Sequence, residues 1–208
     1  NIIVSGNTII DALLIASNKL DKNKINQELF FKKEFNIDFK SKKLILITGH
    51  RRENFGEKFE NICHAIKEIV FQKNIIVIYP VHLNPNVQAP VNRILGDIKN
   101  VFLIPPQDYL PFLFLMKKSY LILTDSGGVQ EEAPSLGKPV LVMRDTTERM
   151  EGVKSGTAKL VGTNRNKIVS SVKKILNDKV AYDKMAKSIN PYGNGEASKI
   201  IFNYIDKI

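Results

Sequence analysis

Tryptophan is missing from the 208 residues and cysteine occurs once, at Cys63. A single cysteine excludes a disulfide framework and a cysteine-cluster zinc site. Cys63 falls on the apolar side of an expected helix and reads as a buried structural thiol, which fits a reducing, cytoplasmic compartment. No apolar run approaches the ~20 residues of a membrane span, so no membrane partner is expected. Gly-x-Ser-x-Gly, Gly-Lys-Ser/Thr and Gly-x-Gly-x-x-Gly are all absent, which argues against a serine hydrolase, a phosphate-loop ATPase and a nicotinamide enzyme. Histidine is confined to His50, His64 and His82. No carboxylates converge on them in the sequence, so neither a metal nor a cofactor is expected.

Arginine is scarce too, although the formal net charge is +10. The excess is lysine, scattered along the whole chain without basic runs or interleaved aromatics. This is a solvated surface, and no nucleic-acid partner is expected. Four of the six arginines fall in two short stretches, 50–54 and 143–149. Where lysine is the default cation, such a cluster points to bidentate work on a carboxylate or phosphate.

What is present is an alternation of continuously apolar runs and helical patterns. Strands are expected at 43–48, 75–79, 101–104, 120–123, 139–142 and 159–161. Helices are expected from Asn7 or Thr8 to Leu20, at 25–35 (Leu29, Phe30 and Phe35 inward), 57–71, 87–95, 109–117, 164–176, 179–186 and 195–208. A polar loop is expected over 19–26. Fully apolar strands separated by helices give a parallel sheet buried on both faces, an α/β fold. The opening Asn1-Ile2-Ile3-Val4 reads as the start of a fragment or a processed product.

The centre of the chain is Thr124-Asp125-Ser126-Gly127-Gly128-Val129-Gln130-Glu131-Glu132. A buried strand leads into a glycine turn, and a helix starts at Gln130. Strand, glycine turn and helix aim free backbone N–H groups at an anion. A carboxylate one turn on, Glu131 or Glu132, suits a ribose diol better than a phosphate. In an open parallel sheet, ligands bind outside the carboxyl ends of the strands. The segments that follow the strands there are the polar ones: Gly49 to Asn54, Pro80 to His82, Pro105 to Gln107, Asp125 to Gly128 and Arg144 to Arg149. His50 is the strongest candidate for polar chemistry among them. Phe112 follows the third strand and can pack against a base or the core.

The segments 48–54, 79–87, 123–141, 144–149 and 190–193, in this order and spacing, resemble bacterial non-hydrolysing UDP-N-acetylglucosamine 2-epimerase. The resemblance runs from about Ser5 to Tyr204. It implies one half of a GT-B fold: a Rossmann-like UDP-binding domain over 23–208, preceded by a connecting helix over 1–22. The N-terminal domain, which bears the acid and base carboxylates in this family, is absent. It also implies residue roles. Ser126, Gly127 and Gly128 would hold the diphosphate and Glu132 the ribose hydroxyls; Arg149 would reach the phosphates or the sugar, and Arg51 would help bind UDP. Phe112 would lie by the uracil and His50 at the leaving UDP. His82 is the candidate for a regulatory site. The implied partners are a UDP-sugar, the missing domain and a second copy of the full-length protein. Two other functions remain open, a non-catalytic nucleotide-sugar module and a GT-B glycosyltransferase domain.

Overall fold

The computed structural model describes residues 2–22, 24–40 and 42–207. Six strands form one parallel sheet: β1 (Lys43–Thr48), β2 (Ile75–Pro80), β3 (Val101–Ile104), β4 (Leu121–Thr124), β5 (Val140–Val142) and β6 (Ala158–Leu160). Their spatial order is β3-β2-β1-β4-β5-β6, the doubly wound Rossmann arrangement. The register sets Thr48 opposite Thr124 and Ile45 opposite Val77.

Both faces of the sheet are covered, which is why the strands are apolar without alternation. Ile45 and Ile47 point to one core, against α3 (Glu57–Ile69), α4 (Pro85–Leu95) and α8 (Arg165–Asn177). Leu44 and Leu46 point to the other, against α1 (Thr8–Lys22), α2 (Lys24–Phe35) and α5 (Tyr109–Lys118). The helix α9 (Lys179–Ala186) follows α8 and stacks Tyr182 on Tyr120 with ring centroids 4.2 Å apart. The last helix, α10 (Ala197–Ile205), lies against α1. Asp11 of α1 accepts the Ser198 N–H at 2.8 Å and so caps it.

Several expectations need correction. The 19–26 loop is absent from the described residues: α1 continues to Lys22, held by buried Leu20, and α2 begins at Lys24. Residue 23, where they join, lies outside the described residues. On α2 the most inward residue is Phe31, fully buried and stacked on Phe114 at 5.6 Å. Leu29 and Phe30 are exposed, whereas Phe35 is half-buried and does pack inward against this core. The cause is the helical phase set by the packing of Phe31 on Phe114 and Phe39. A short helix, α7 (Met150–Ser155), stands where none was expected, and β6 begins one residue early. The helix after β4, α6 (Gly127–Glu132), starts at Gly127 rather than Gln130. The glycines are therefore its first turn. A 3₁₀ turn over Ala133–Leu136 extends it to Gly137, whose φ of +66° suits a residue without a Cβ.

Candidate functional site

The strand order reverses between β1 and β4, so the loops after these strands part there and leave a crevice. The Thr48 and Thr124 hydroxyls meet across the strand ends. Thr124 Oγ1 also accepts the Ser126 N–H at 2.9 Å, which fixes the entry into α6. On the β1 side, Tyr79 donates its hydroxyl to the Gly49 carbonyl at 2.7 Å. A Cβ on Gly49 would lie 3.0 Å from that hydroxyl oxygen, so any side chain there would press on the buried Tyr79.

The two loops are tied together by Asp125, which is fully buried. Its Oδ2 accepts the backbone N–H groups of His50 and Arg51, both at 2.8 Å, and the Asn54 side-chain amide at 3.4 Å. The His50 ring nitrogen Nδ1 lies 3.6 Å from Asp125 Oδ1. A carboxylate does therefore converge on a histidine, contrary to the sequence expectation, from a position 75 residues away. His50 also stacks on His82, with centroids 5.3 Å apart. Among the described residues, no group of three or more His, Cys, Asp or Glu is placed to hold a metal ion.

A cavity of about 220 Å³ opens at this point, lined by His50, His82, Gln107, Phe112, Ser126 and Val129 among others. Four of the candidate residues thus share one wall. His82 belongs to this cavity, in direct contact with the His50 ring. Ser126 occupies the N-cap position of α6, yet its side chain makes no capping bond. The first N–H groups of α6 have no partner four residues earlier within the helix. A Cβ on Gly128 would meet nothing within 4 Å, whereas one on Gly127 would lie 3.5 Å from the Arg149 guanidinium carbon.

The arginines are held by carboxylates. Arg144 is buried and donates to Glu53 Oε1 at 2.6 Å, to Glu53 Oε2 at 3.4 Å and to Glu148 Oε2 at 2.7 Å. It bridges the loops after β1 and β5. Glu148 Oε1 lies 3.4 Å from both Arg51 and Arg149. The Glu148 carboxyl is pushed down to about 2 by its own backbone N–H and by the Arg144 guanidinium. Arg149 Nε donates to Glu131 at 2.6 Å, and Glu131 also accepts from Asn7 at 2.9 Å. Arg149 borders a second, more open cavity of about 500 Å³ with Ser5, Asn7, Glu148 and Tyr192.

The neighbouring carboxylates of α6 have separate partners. Glu131 serves Arg149, while Glu132 is buried and accepts the Tyr109 hydroxyl at 3.0 Å. Burial raises the Glu132 carboxyl above its ordinary value; the Tyr109 bond opposes that shift and Glu131 adds to it. Glu132 is set back from the wall formed by His50, Phe112 and Ser126. Sequence reasoning missed Asp125, Asn54 and Tyr109 as members of this network, whereas Arg144, singled out in the 143–149 arginine cluster, does grip a carboxylate with two nitrogens. Asp125 was legible in principle, as a carboxylate at the end of an apolar strand with no reason of its own to be buried.

The model of the UDP-N-acetylglucosamine 2-epimerase family matches residues 1–206. UDP-N-acetylglucosamine 2-epimerase of Escherichia coli K12 is 57% identical over 198 residues, 94% of this chain and 52% of that protein. The crystal structure of UDP-GlcNAc 2-epimerase from Neisseria meningitidis bound to UDP-GlcNAc superposes with a TM-score of 0.91 at 49% identity, covering 99% of this chain and 55% of that one. An S. aureus relative in a co-structure with UDP superposes at 0.84 with 42% identity, covering 98% of this chain and 53% of its own. The chain spans about half the length of the curated relatives it matches. The Rossmann-like sheet, the half-length superposition on GT-B enzymes and the family match agree. The chain belongs to the UDP-N-acetylglucosamine 2-epimerase family.

Proposed function

We propose that this chain is the UDP-binding half of a UDP-N-acetylglucosamine 2-epimerase. The observation that carries the reading is a cavity at the β1–β4 crevice lined by His50, Phe112 and Ser126 together, in a chain of this family. The first turn of α6, open to solvent at Gly128, suits a diphosphate, because its N–H groups and dipole favour negative charge. Ser126, Gly127 and Gly128 would hold the phosphates there. Arg149 is a third exposed and Arg51 about as much. Both keep donor capacity beside their carboxylates and would add charge-assisted bonds to phosphate oxygens. Phe112 would face the uracil. Glu132, with one oxygen on Tyr109, would offer the other to the ribose hydroxyls.

Inverting C2 requires that its hydrogen leave and return on the other face. In this reading a base takes the C2 proton, the C1–O bond breaks, and UDP departs with the bonding electrons, leaving a C1–C2 alkene. Re-addition of UDP at C1 with a proton to C2 gives UDP-N-acetylmannosamine. His50 and Arg51 would stabilise the charge that grows on the departing phosphate. The acid and base carboxylates would come from an N-terminal domain, joined through residues 1–22 to the UDP-binding domain at 23–208. A cytoplasmic location rests on the lone buried Cys63, whereas a homodimer for the complete protein and a regulatory role for His82 rest on the family resemblance.

The test is solvent exchange. In D₂O the complete protein should wash deuterium into C2 of UDP-N-acetylglucosamine while forming the manno epimer. This chain alone should do neither. A complete protein that left C2 unexchanged would overturn the reading.

A further inference from the structure

Asp125 Oδ1 is a buried carboxylate oxygen with no hydrogen-bond partner. Oδ2, by contrast, takes three donors: two backbone N–H groups and the Asn54 amide. The carboxylate cannot turn to share them, because those donors pin it in place. The ring atom facing Oδ1 is His50 Nδ1, 3.6 Å away. A shift of less than about 1 Å brings this pair into hydrogen-bonding range.

Only one arrangement of the ring fits that neighbour. If Nδ1 carried a lone pair, it would face the lone pairs of Oδ1, and both acceptors would go unmatched. With hydrogen on Nδ1 the buried oxygen is satisfied. We infer that Asp125 is a positioning residue that holds hydrogen on His50 Nδ1, so that Nε2 carries the lone pair of this cavity-lining ring. The same carboxylate sets the loop that carries the ring, since it binds the His50 and Arg51 N–H groups. His82 is fixed in the opposite sense. Its Nδ1 accepts the Asn84 N–H at 3.1 Å, which leaves its hydrogen on Nε2. The two stacked rings therefore have complementary tautomers. Resting on the functional reading above, the free Nε2 of His50 is the atom that would face the departing phosphate oxygen.

The experiment is long-range ¹H–¹⁵N correlation spectroscopy of the histidine rings in this chain, with signals assigned by His50→Gln, His64→Gln and His82→Gln. At alkaline pH the His50 signals should show a protonated Nδ1 and an unprotonated Nε2, and His82 the reverse. Asp125→Asn should then invert His50. Its amide oxygen must still accept the two backbone N–H groups, so its NH₂ faces Nδ1 and donates to it. An aspartate beside a catalytic histidine acts in this way in serine proteases. A wild-type His50 with hydrogen on Nε2 would overturn the inference. So would a folded Asp125→Asn chain with an unchanged tautomer. The wild-type spectrum decides the matter even if the variant fails to fold. No UDP is needed, so this result stands apart from the functional reading.

Discussion

Replacing Arg144 by methionine removes a buried cation that joins the loop after β1 to the loop after β5. It deletes contacts of 2.6 and 3.4 Å to Glu53 and of 2.7 Å to Glu148. Breaking a fully buried ion pair costs about 3–5 kcal/mol, and breaking an exposed one about 0–1 kcal/mol. The Arg144 side chain is 8% exposed, but Glu53 and Glu148 are 48% and 42% exposed and can rehydrate. The expected loss is therefore intermediate, about 2–3 kcal/mol. With a urea slope of about 2 kcal/mol/M, the unfolding midpoint should fall by about 1–1.5 M.

Acid provides a second readout of the same substitution. The Glu148 carboxyl sits at about 2 in the folded chain against an ordinary 4.5. A depressed folded value contributes stability above the unfolded value and loses it as pH falls toward the folded one. The backbone part of that contribution survives the substitution, and the Arg144 part does not. The gap between wild type and variant should thus narrow as pH falls from 5 toward 2. A midpoint shift below ~0.2 M, or a gap that stays constant from pH 6 to pH 3, would refute the reasoning.

Glu132→Gln should weaken UDP binding by about ten- to a hundredfold, the worth of one bond to a charged acceptor. Because burial raises the Glu132 carboxyl, protonation removes its charge at a higher pH than for an exposed glutamate. Wild-type affinity should therefore fall earlier on acidification than that of the variant, with the phosphate titration of UDP common to both. Phe31→Ala should cost about 3–5 kcal/mol by urea unfolding, and exposed Leu29→Ala under about 0.5 kcal/mol. Burial pushes the Cys63 thiol up to about 12, so at pH 8 it should resist disulfide reagents until urea unfolds the chain.

The strands were legible in the sequence because each is a continuous apolar run that needs burial on both faces. The glycine-rich centre and the polar segments after each strand were legible for a related reason, since nothing apolar competes there. Sheet order was not legible, because β1 neighbours β4 across more than 70 residues and no local pattern records that pairing. The same distance hid the Asp125 clamp and the Arg144 bridge. Helix α7 was missed because Met150–Ser155 is too short to show a period. The facing of α2 was misjudged at Leu29 and Phe30, because Leu29, Phe30, Phe31 and Phe35 offer two apolar stripes. The packing of Phe31 on Phe114 and Phe39 selects between them.

The central claim is that this chain holds a UDP site between the loops after β1 and β4. Calorimetric titration with UDP, with ADP and UMP alongside, tests it most directly. The account predicts one-to-one binding of UDP with heat, weaker binding of ADP and UMP, and loss of binding in Arg149→Ala. No heat with millimolar UDP, or equal affinity for UDP and ADP, would contradict it.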